Sequence, residues 1–513
     1  MKKSYEQFRA RQELLDKQYG DAYYEKQHKR GKLTARERIE LLFDEGTFEE
    51  LDAYAPPVDT SFGKSTKAFG DGVITGFGRV NGRLVYVYSQ DFNILGGSLG
   101  SMHAEKIIKI QDLALKTGAP VVGLIDSGGA RIQEGISSLN GYAGIFKRNV
   151  ISSGVIPQIS VIMGPAAGGA VYSPALTDFI FMTADTSYMF VTGPNVVKEV
   201  LNETVTTEDL GGASVHGTKS GVADFVYNDD ENTILGVKKL LSYLPSNNME
   251  NPPLVENWDL PNRIEERLRH IVPEDPDKPY DVKDIVELIV DNGDYYEVAE
   301  KHAANIFTAF ARMDGMAVGI VANQPKVMAG TLDIDSSVKA AKFINICNAF
   351  NIPIVTFEDV PGFLPGTDQE HDGIIKHGAK LLYAYTNATV PKVTIILRKA
   401  YGGAYIVMNS KGIGGDFSYA WPTAEIAVMG PDGAIAILYR KELADSDDPV
   451  TLKKELTQKY REEVTNPYIA DEKGYVDEVI DPAFTRAKII TCLRALQGKT
   501  ELRPKRKHGN MPL

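Results

Sequence analysis

The feature that most constrains this 513-residue chain is an internal duplication at an offset of 233 residues, as between Phe77 and Phe310. GFGRVNGR in the first half recurs as AFARMDGM in the second. Further on, the tripeptide GGA at Gly168 recurs at Gly402, an offset of 234. Self-similarity at a nearly fixed offset predicts two structural copies in tandem. Other pairs in the 233-residue register are Gly97 and Gly330, Lys106 and Lys339, Lys109 and Lys342, Asp126 and Asp359, and Gly129 and Gly362.

Each copy alternates apolar strands with amphipathic helices. RLVYVYSQ and MAVGIVAN are β-branched and aromatic runs bounded by turn residues, which is typical of strands. MHAEKIIKIQDLALKTG and SVKAAKFINICNAFN follow them with apolar spacing near 3.6, which predicts helices. PVVGLID, PIVTFED, PQISVIMG and PKVTIILR predict further buried strands. Strands that alternate with helices indicate an α/β fold with largely parallel sheets.

A proline-rich stretch divides the two copies. Residues 245–279 contain Pro245, Pro252, Pro253, Pro261, Pro273, Pro276 and Pro279, which excludes one regular element and predicts a linker. We therefore expect an N-terminal helical arm over 1–33, a first domain over 34–244 and a second domain over 280–513. Thr34-Ala-Arg-Glu37 matches a capping box and predicts the helix that opens the first domain.

Charge and cysteine content exclude several classes of function. The chain has 56 Lys+Arg against 68 Asp+Glu, a net charge of −12, which argues against nucleic-acid binding because that needs a basic face. Two cysteines, Cys347 and Cys492, are too few for a disulfide framework or a four-thiolate zinc site. The eight histidines show no metal-ligand spacing, so no metal is expected. With no signal peptide and no long apolar run, we expect a cytoplasmic protein without direct membrane insertion.

Glycine-rich turns follow the buried strands of both copies as DSGGAR, GPAAGG, DVPGFLPG and KAYGGAY. Successive backbone N–H groups near a helix N-terminus favour an anionic oxygen. Gly168 and Gly169 in the first copy are therefore candidates for one oxyanion hole, and Gly403 and Ala404 in the second copy for another. A tight strand-to-helix turn is the alternative interpretation of any one of them, but the repetition favours the functional one.

Ser98 is a candidate nucleophile, because Gly96-Gly-Ser-Leu-Gly100 fits the G-x-S-x-G elbow of hydrolases. The elbow places its serine directly after a strand, whereas DFNIL intervenes here. The duplicated position is Thr331, which lies in MAGTLD without a matching elbow. Both observations disfavour a serine nucleophile.

Four long motifs resemble those of a known family. DSGGARIQEG, GVIPQISVIMGPAAGGAVYSPALTDFIFM, VANQPKVMAGTLDIDSS and KAYGGAYIVMNSK closely resemble the carboxyltransferase (β) subunits of biotin-dependent acyl-CoA carboxylases, above all those of the propionyl-CoA type. The resemblance runs from about Lys32 to the C-terminal KHGNMPL. It implies tandem duplicated crotonase-like α/β domains, in agreement with the internal repeat. It also implies a homohexamer in which each active site lies between two subunits.

The resemblance implies transfer of a carboxyl group from carboxybiotin to the α-carbon of a short acyl-CoA, with propionyl-CoA giving methylmalonyl-CoA. The amides of Gly168 and Gly169 would hold the thioester enolate oxygen, and those of Gly403 and Ala404 the biotin ureido oxygen. No Met-Lys-Met tripeptide occurs, so biotin is expected on a separate carrier protein. The implied partners are a biotin carboxylase and a biotin carboxyl carrier subunit. The other substrate-binding positions that the resemblance implies are Gly128, Gly129, Ala130, Arg131, Ala167, Tyr172, Gly362, Tyr405 and Ile406.

Two alternatives stay open at this point. The α subunits of methylmalonyl-CoA decarboxylases, which run the reverse transfer to biotin, share nearly all of these motifs. A crotonase-like thioester hydrolase would use Ser98. Three positions depart from the family: Ile406 stands where many members have Asp, Asp224 where His is common, and Ala436 where Asn is common. Ile406 is expected to border the acyl pocket, which leaves the choice among acetyl-, propionyl- and butyryl-CoA open.

Overall fold

A computed structural model describes residues 2–60 and 68–512. Met1, Leu513 and the segment 61–67, which belong to the predicted arm, second domain and first domain, lie outside the described residues. The chain divides into a first unit, Met1–Asn251, and a second unit, Pro252–Leu513. This division falls inside the predicted linker, and the domain bounds drawn from the sequence stay a prediction.

The first unit combines an antiparallel edge with a parallel centre. Its sheet runs in the order β1-β2-β3-β4-β5-β6-β8, and β7 pairs with the end of β5. The strands are β1 (Glu49–Leu51), β2 (Val73–Val80), β3 (Arg83–Gln90), β4 (Val121–Ser127), β5 (Gln158–Ala167), β6 (Phe179–Thr183), β7 (Tyr188–Phe190) and β8 (Phe225–Tyr227). The helices are α1 (Lys2–Gln18), α2 (Asp21–His28), α3 (Ala35–Leu42), α4 (Ser101–Thr117), α5 (Ile136–Ser152), α6 (Gly169–Ala175), α7 (Pro194–Leu201), α8 (Thr207–Gly211), α9 (Ala213–Thr218) and α10 (Asp230–Tyr243).

The second unit repeats this plan. Its sheet runs β16-β14-β13-β12-β11-β10-β9, and β15 pairs with the end of β13 as β7 does with β5. The strands are β9 (Tyr295–Glu297), β10 (Ile306–Met313), β11 (Met316–Asn323), β12 (Ile354–Val360), β13 (Lys392–Tyr401), β14 (Phe417–Ala420), β15 (Glu425–Ala427) and β16 (Glu478–Val479). The helices are α11 (Leu268–Ile271), α12 (Val282–Ile289), α13 (Ile334–Ala349), α14 (Thr367–His371), α15 (Ile374–Asn387), α16 (Gly402–Val407), α17 (Pro431–Leu438), α18 (Arg440–Asp445), α19 (Pro449–Tyr460), α20 (Pro467–Glu472) and α21 (Thr485–Ala495).

Each sheet buries its own apolar core. In the first unit Ile107 and Ile110 of α4 pack against Val121 and Ile125 of β4. In the second unit Val286 of α12 belongs to a core that includes strand residues and reaches back to Leu268 and Val272 of the predicted linker. Burial of β-branched and aromatic side chains on the strands is the main favourable contribution to each fold.

The local predictions agree with the observed elements. β3 and β11 have the same bounds as RLVYVYSQ and MAVGIVAN. The capping box is present, since the Thr34 side chain accepts from the N–H of Glu37 and the Glu37 carboxylate accepts from the N–H of Thr34. Across residues 2–60 and 68–512, the helices are too short or too polar to span a lipid bilayer.

Candidate active site

The first unit forms a glycine turn where β5 passes into α6. We call Ala167–Ala170 the first-unit turn. Gly168 has φ +59, a conformation that favours glycine, and α6 begins at Gly169. The N–H groups of Gly169 and Ala170 belong to the first turn of the helix, where no carbonyl of the helix can accept them. These two N–H groups are therefore available to an anionic oxygen.

The structure changes the assignment of Gly168. Its N–H donates to the carbonyl oxygen of Phe190 at 3.1 Å, which extends the pairing of β5 with β7. An amide held in the sheet cannot also bind a substrate oxygen. We therefore revise the predicted donor pair from Gly168 and Gly169 to Gly169 and Ala170, which Gly403 and Ala404 match at the 234-residue offset; the donor role of these residues stays a prediction.

A second glycine loop packs directly against this turn. The N–H of Gly128 donates to the carbonyl oxygen of Gly96 at 2.9 Å, and Ala130 forms a parallel bridge with Leu99. Gly129 has φ +94, and a Cβ there would come within 2.9 Å of the carbonyl oxygen of Ala167. The predicted residues Gly128, Gly129, Ala130 and Ala167 thus lie together, and only glycine allows the two loops this close approach.

Arg131 is not available to a substrate. Its guanidinium forms ion pairs with Asp71 at 2.6 Å and Glu134 at 2.8 Å, and it donates to the carbonyl oxygen of Ser98 at 2.7 Å. Arg131 is also 5% exposed, and its backbone N–H donates to Leu99. The expectation that Arg131 binds substrate is therefore replaced by a role in holding the loops around Ser98 and Gly129. The sequence did not point to its partners, because Asp71 is sixty residues away.

A buried polar network extends behind Arg131. The N–H of His103 donates to the Asp71 carboxylate at 2.8 Å, and its ring nitrogens contact Asp71 and Gln90. Burial lowers the pKa of His103 to about 3, helped by the Arg131 charge. His103 is therefore neutral, with Nδ1 donating to the Asp71 carbonyl and Nε2 accepting from Gln90.

Buried ion pairs hold the end of β4, the strand that leads into the loop of Gly128, Gly129 and Ala130. Asp126, the residue before the Ser127 loop, is paired with Lys32 at 2.5 Å and Arg38 at 3.0 Å. Arg38 also pairs with Asp230 of α10 at 2.9 Å. Burial lowers the pKa of Lys32 even though Asp126 opposes this shift. Lys32 belongs to the predicted arm, so the arm helps to hold the end of β4 and the loop of Gly128, Gly129 and Ala130 that follows it.

Tyr172 lies on α6 beside the first-unit turn. Its side chain is half-exposed, and its ring meets Phe146 of α5 edge-to-face at 6.4 Å. The ring therefore packs against α5 and keeps part of its apolar surface exposed. The structure places it with the other predicted residues of the first unit.

The second unit repeats the turn where β13 passes into α16. We call Tyr401–Ala404 the second-unit turn. Gly402 has φ +63, and Gly403 and Ala404 lie in the first turn of α16, so their N–H groups lack acceptors within the helix. A Cβ built on Gly403 would meet no atom within 4 Å. A side chain at Gly403 would therefore meet no other part of the described chain.

The other predicted residues of the second unit are Gly362, in the loop after β12, and Tyr405 and Ile406, on α16. The carbonyl oxygen of Gly362 accepts from Leu332 at 3.1 Å, which repeats the Gly129 contact of the first unit. Tyr405 packs against the apolar residues around Ala400, and burial raises its pKa to about 12, with Glu358 contributing. Ile406 is 45% exposed, on the first helical turn after Gly403 and Ala404.

Glu358 is a buried acid that the sequence interpretation missed. It lies on β12, is completely buried, and neither carboxylate oxygen has a hydrogen-bond partner among the described residues. Burial raises the pKa of Glu358 well above its usual range, and Asp359 adds to this. Burial therefore favours the protonated, neutral form of this carboxyl group. The duplication provides the missing signal, because the residue at the equivalent strand position is Ile125.

Ser98 is not arranged as a nucleophile. Its hydroxyl donates to the carbonyl oxygen of Leu95 at 2.7 Å, and its nearest charged neighbour is Arg131, at 3.4 Å. A cation can neither accept its proton nor act as a general base. In the described part of the chain, no cluster of three or more His, Cys, Asp or Glu side chains could hold a metal ion.

Two of the departures from the family pattern lie away from these turns. The Asp224 carboxylate accepts from the N–H of Ile180 at 2.8 Å, so it is held on β6. Ala436 is exposed on α17. Neither explains a substrate preference.

Known proteins are similar to this chain over nearly its whole length. A family model described as "Carboxyl transferase domain" matches residues 26–511. The chain belongs to the carboxyl transferase family. This carboxyl transferase is 57% identical over 509 residues to the propionyl-CoA carboxylase carboxyltransferase subunit of Haloferax mediterranei, with 99% of each chain covered. It is also 57% identical to methylmalonyl-CoA decarboxylase subunit alpha of Veillonella parvula, with 96% of each chain covered.

A solved structure agrees with the fold of this carboxyl transferase. Transcarboxylase 12S, with methylmalonyl-CoA and methylmalonic acid bound, superposes with a TM-score of 0.96 at 50% identity. The superposition covers 100% of this chain and 98% of that one. The predicted family and the predicted tandem crotonase-like α/β fold are confirmed.

Proposed function

We propose that this carboxyl transferase is the carboxyltransferase subunit of a biotin-dependent acyl-CoA carboxylase. The observation that carries the proposal is the pair of equivalent turns, one in each unit. Each turn opens a helix with two N–H groups that have no acceptor in the helix, Gly169 with Ala170 and Gly403 with Ala404. Two such sites suit a reaction in which negative charge develops on two different oxygens.

In this mechanism the backbone stabilises the anions. The N–H groups of Gly169 and Ala170 hold the enolate oxygen of the acyl-CoA thioester, and those of Gly403 and Ala404 hold the ureido oxygen of the co-substrate carboxybiotin. When bound there, carboxybiotin would supply the carboxyl group and, once that group has left, a ureido nitrogen that can accept the α-proton. The α-carbon forms the new carbon–carbon bond. Losing one such donor typically costs about 2.7 to 4 kcal/mol of transition-state stabilisation.

Propionyl-CoA is the proposed acceptor, with methylmalonyl-CoA as product. The relatives at 57% and 58% identity named as propionyl-CoA carboxylase subunits support this choice. Ile406 is a half-exposed apolar side chain on the first helical turn after Gly403 and Ala404, and we assign it to the wall of the acyl pocket. An apolar pocket excludes a charged acyl tail and discriminates weakly by chain length.

The proposed assembly is a homohexamer with a biotin carboxylase and a biotin carboxyl carrier subunit as partners. The transcarboxylase 12S structure is described as a hexamer, which supports the first part. The family supports the second part, with biotin carried on another polypeptide. The direction of transfer depends on these partners. Copurification with a biotin carboxylase supports carboxylation, and copurification with an integral-membrane subunit instead would support the decarboxylase alternative.

The test is carboxyl transfer from methylmalonyl-CoA to free biotin by the purified full-length protein, followed by mass spectrometry of propionyl-CoA and carboxybiotin. Gly403→Val should lower kcat/KM for biotin at least a hundredfold, because a branched side chain beside the proposed donor N–H groups would hinder the approach of the ureido oxygen. Gly433→Ala, on the exposed face of α17, is the matched control and should retain activity. Absence of transfer from any acyl-CoA by the correctly assembled protein would refute the proposal.

A further inference from the structure

The second-unit turn has a side-chain attachment that the first-unit turn lacks. Tyr401, the last residue of β13, is the first residue of the turn, and its hydroxyl donates to a carboxylate oxygen of Glu425 on β15. The other oxygen of Glu425 lies 3.4 Å from Nε of Arg461. Tyr401 is 6% exposed, so this hydrogen bond to a carboxylate is shielded from water.

The pairing of β13 with β15 links the hydrogen bond between Tyr401 and Glu425 to the conformation of the second-unit turn. β15 pairs in parallel with the last three residues of β13, with Lys399 opposite Glu425 and Tyr401 opposite Ala427. Tyr401 is therefore held twice, by its backbone in the ladder and by its hydroxyl on Glu425. A Cβ on Gly430 would lie 3.3 Å from the Tyr401 ring, so Gly430, the residue before α17, packs closely against that ring. The two glycines that follow Tyr401 have high backbone freedom, and their orientation depends on a fixed preceding residue.

Arg461 enters from an unusual backbone element. It begins a π-helical turn, Arg461–Thr465, that follows α19. Such turns are rare and often occur at functional sites, because the extra residue re-aims a side chain. Here the side chain points at Glu425, and Nε is buried without a hydrogen bond among the described residues. The guanidinium therefore lies on the opposite side of the Glu425 carboxylate from the Tyr401 hydroxyl group.

The first unit shows that this arrangement is not required by the fold. The residue equivalent to Tyr401 is Ala167, and the residue on β7 that pairs as Glu425 does is Tyr188. Alanine cannot make the contact. The first-unit turn is fixed instead by the backbone bond from Gly168 to Phe190.

We propose that Tyr401, Glu425 and Arg461 form a clasp that positions the N–H groups of Gly403 and Ala404 for the biotin ureido oxygen. This inference rests on the proposed function, because it assigns the second-unit turn to biotin. The three side chains are positioning residues. They do not contact the reacting atoms, and the clasp should therefore affect use of biotin without affecting use of the acyl-CoA.

The experiment measures transfer from methylmalonyl-CoA to free biotin with Tyr401→Phe, Glu425→Gln and the double variant. Each single variant should lower kcat/KM for biotin about tenfold, in line with loss of a hydrogen bond to a charged group, while KM for methylmalonyl-CoA stays within twofold. The double variant should be no worse than either single one, because both remove the same contact. Arg461→Lys should retain most of the activity, whereas Arg461→Gln should resemble Glu425→Gln.

Tyr188→Phe is the matched control, since Tyr188 is the first-unit counterpart of Glu425. It should leave both parameters unchanged. Unchanged kcat/KM for biotin in Tyr401→Phe and Glu425→Gln, additive losses, or equal effects on both substrates would overturn the clasp.

A readout without activity separates this inference from the proposed function. Hydrogen exchange of peptides spanning 402–408 should be faster in Tyr401→Phe than in the wild type, while exchange of 168–175 is the same. If the wild type shows no transfer, the proposed function fails and the exchange result alone decides whether the clasp orders the turn. Unchanged exchange at 402–408 would refute it.

Discussion

Replacing Glu358 with valine should stabilise the second unit, and the gain should depend on pH. Glu358 is fully buried on β12 without a hydrogen-bond partner for either oxygen among the described residues. Burial raises its pKa well above the ordinary value, so the folded unit binds a proton that the unfolded chain releases above about pH 4.3. Valine has about the same volume and the β-branched shape that strands accommodate, and the equivalent residue of the first unit is Ile125.

The pH dependence follows from proton linkage. Because the pKa of Glu358 is raised in the folded state, its contribution to stability is fully present below the unfolded pKa. That contribution is lost as the pH rises towards the folded pKa. Between the unfolded and the folded pKa the wild type should lose stability relative to the valine variant as the pH rises, with a limiting slope of about 1.4 kcal/mol per pH unit for one proton. The unsatisfied carboxyl adds about 1 to 3 kcal/mol that does not depend on pH.

Guanidinium unfolding followed by tryptophan fluorescence at about pH 5 and about pH 7.5 measures this difference. Both tryptophans, Trp258 and the buried Trp421, lie in the second unit, so the signal reports on it. Glu358→Gln should remove the pH dependence but keep the unsatisfied polar group. Ile125→Val should cost about 0.5 to 1.5 kcal/mol at either pH, measured by far-UV circular dichroism. The same stability difference between wild type and Glu358→Val at both pH values would show that Glu358 is charged or solvated, and would refute the reasoning.

Three further outcomes are expected. Ile406→Asp should change the ratio of activities on acetyl-, propionyl- and butyryl-CoA at least fivefold, because a charge is placed beside the acyl group; an unchanged ratio removes this residue from the pocket. Below about pH 6.5 the wild type should lose stability more steeply than His103→Gln, by about 1 kcal/mol per pH unit, because the unfolded chain binds the proton that buried His103 excludes; equal slopes in circular dichroism unfolding would contradict this. Ser98→Ala should leave carboxyl transfer within threefold of wild type, and loss of thioester hydrolysis in that variant would revive the hydrolase alternative.

The arrangement of the elements could be predicted because its signals are local. The strand runs RLVYVYSQ and MAVGIVAN have the bounds of β3 and β11, and the capping box at Thr34 starts α3. The duplication placed each glycine turn after a strand in both copies. Periodicity, capping and turn chemistry depend on neighbours in the chain, so they can be read without knowing the fold.

What each turn residue does was decided by contacts between distant segments. The sequence suggested a substrate role for Arg131, and the structure instead pairs it with Asp71 and Glu134. It suggested Gly168 as a donor, and the pairing of β5 with β7 uses that N–H for Phe190.

The sequence by itself determined the two-copy α/β architecture and the placement of a glycine turn at the start of α6 and of α16. Only the tertiary structure decided which N–H groups are available, that Glu358 is buried without a partner, and that Tyr401 is held by Glu425 and Arg461. The physical reason is that hydrogen bonding and burial depend on which elements pack against one another, and side-chain identity alone does not specify this.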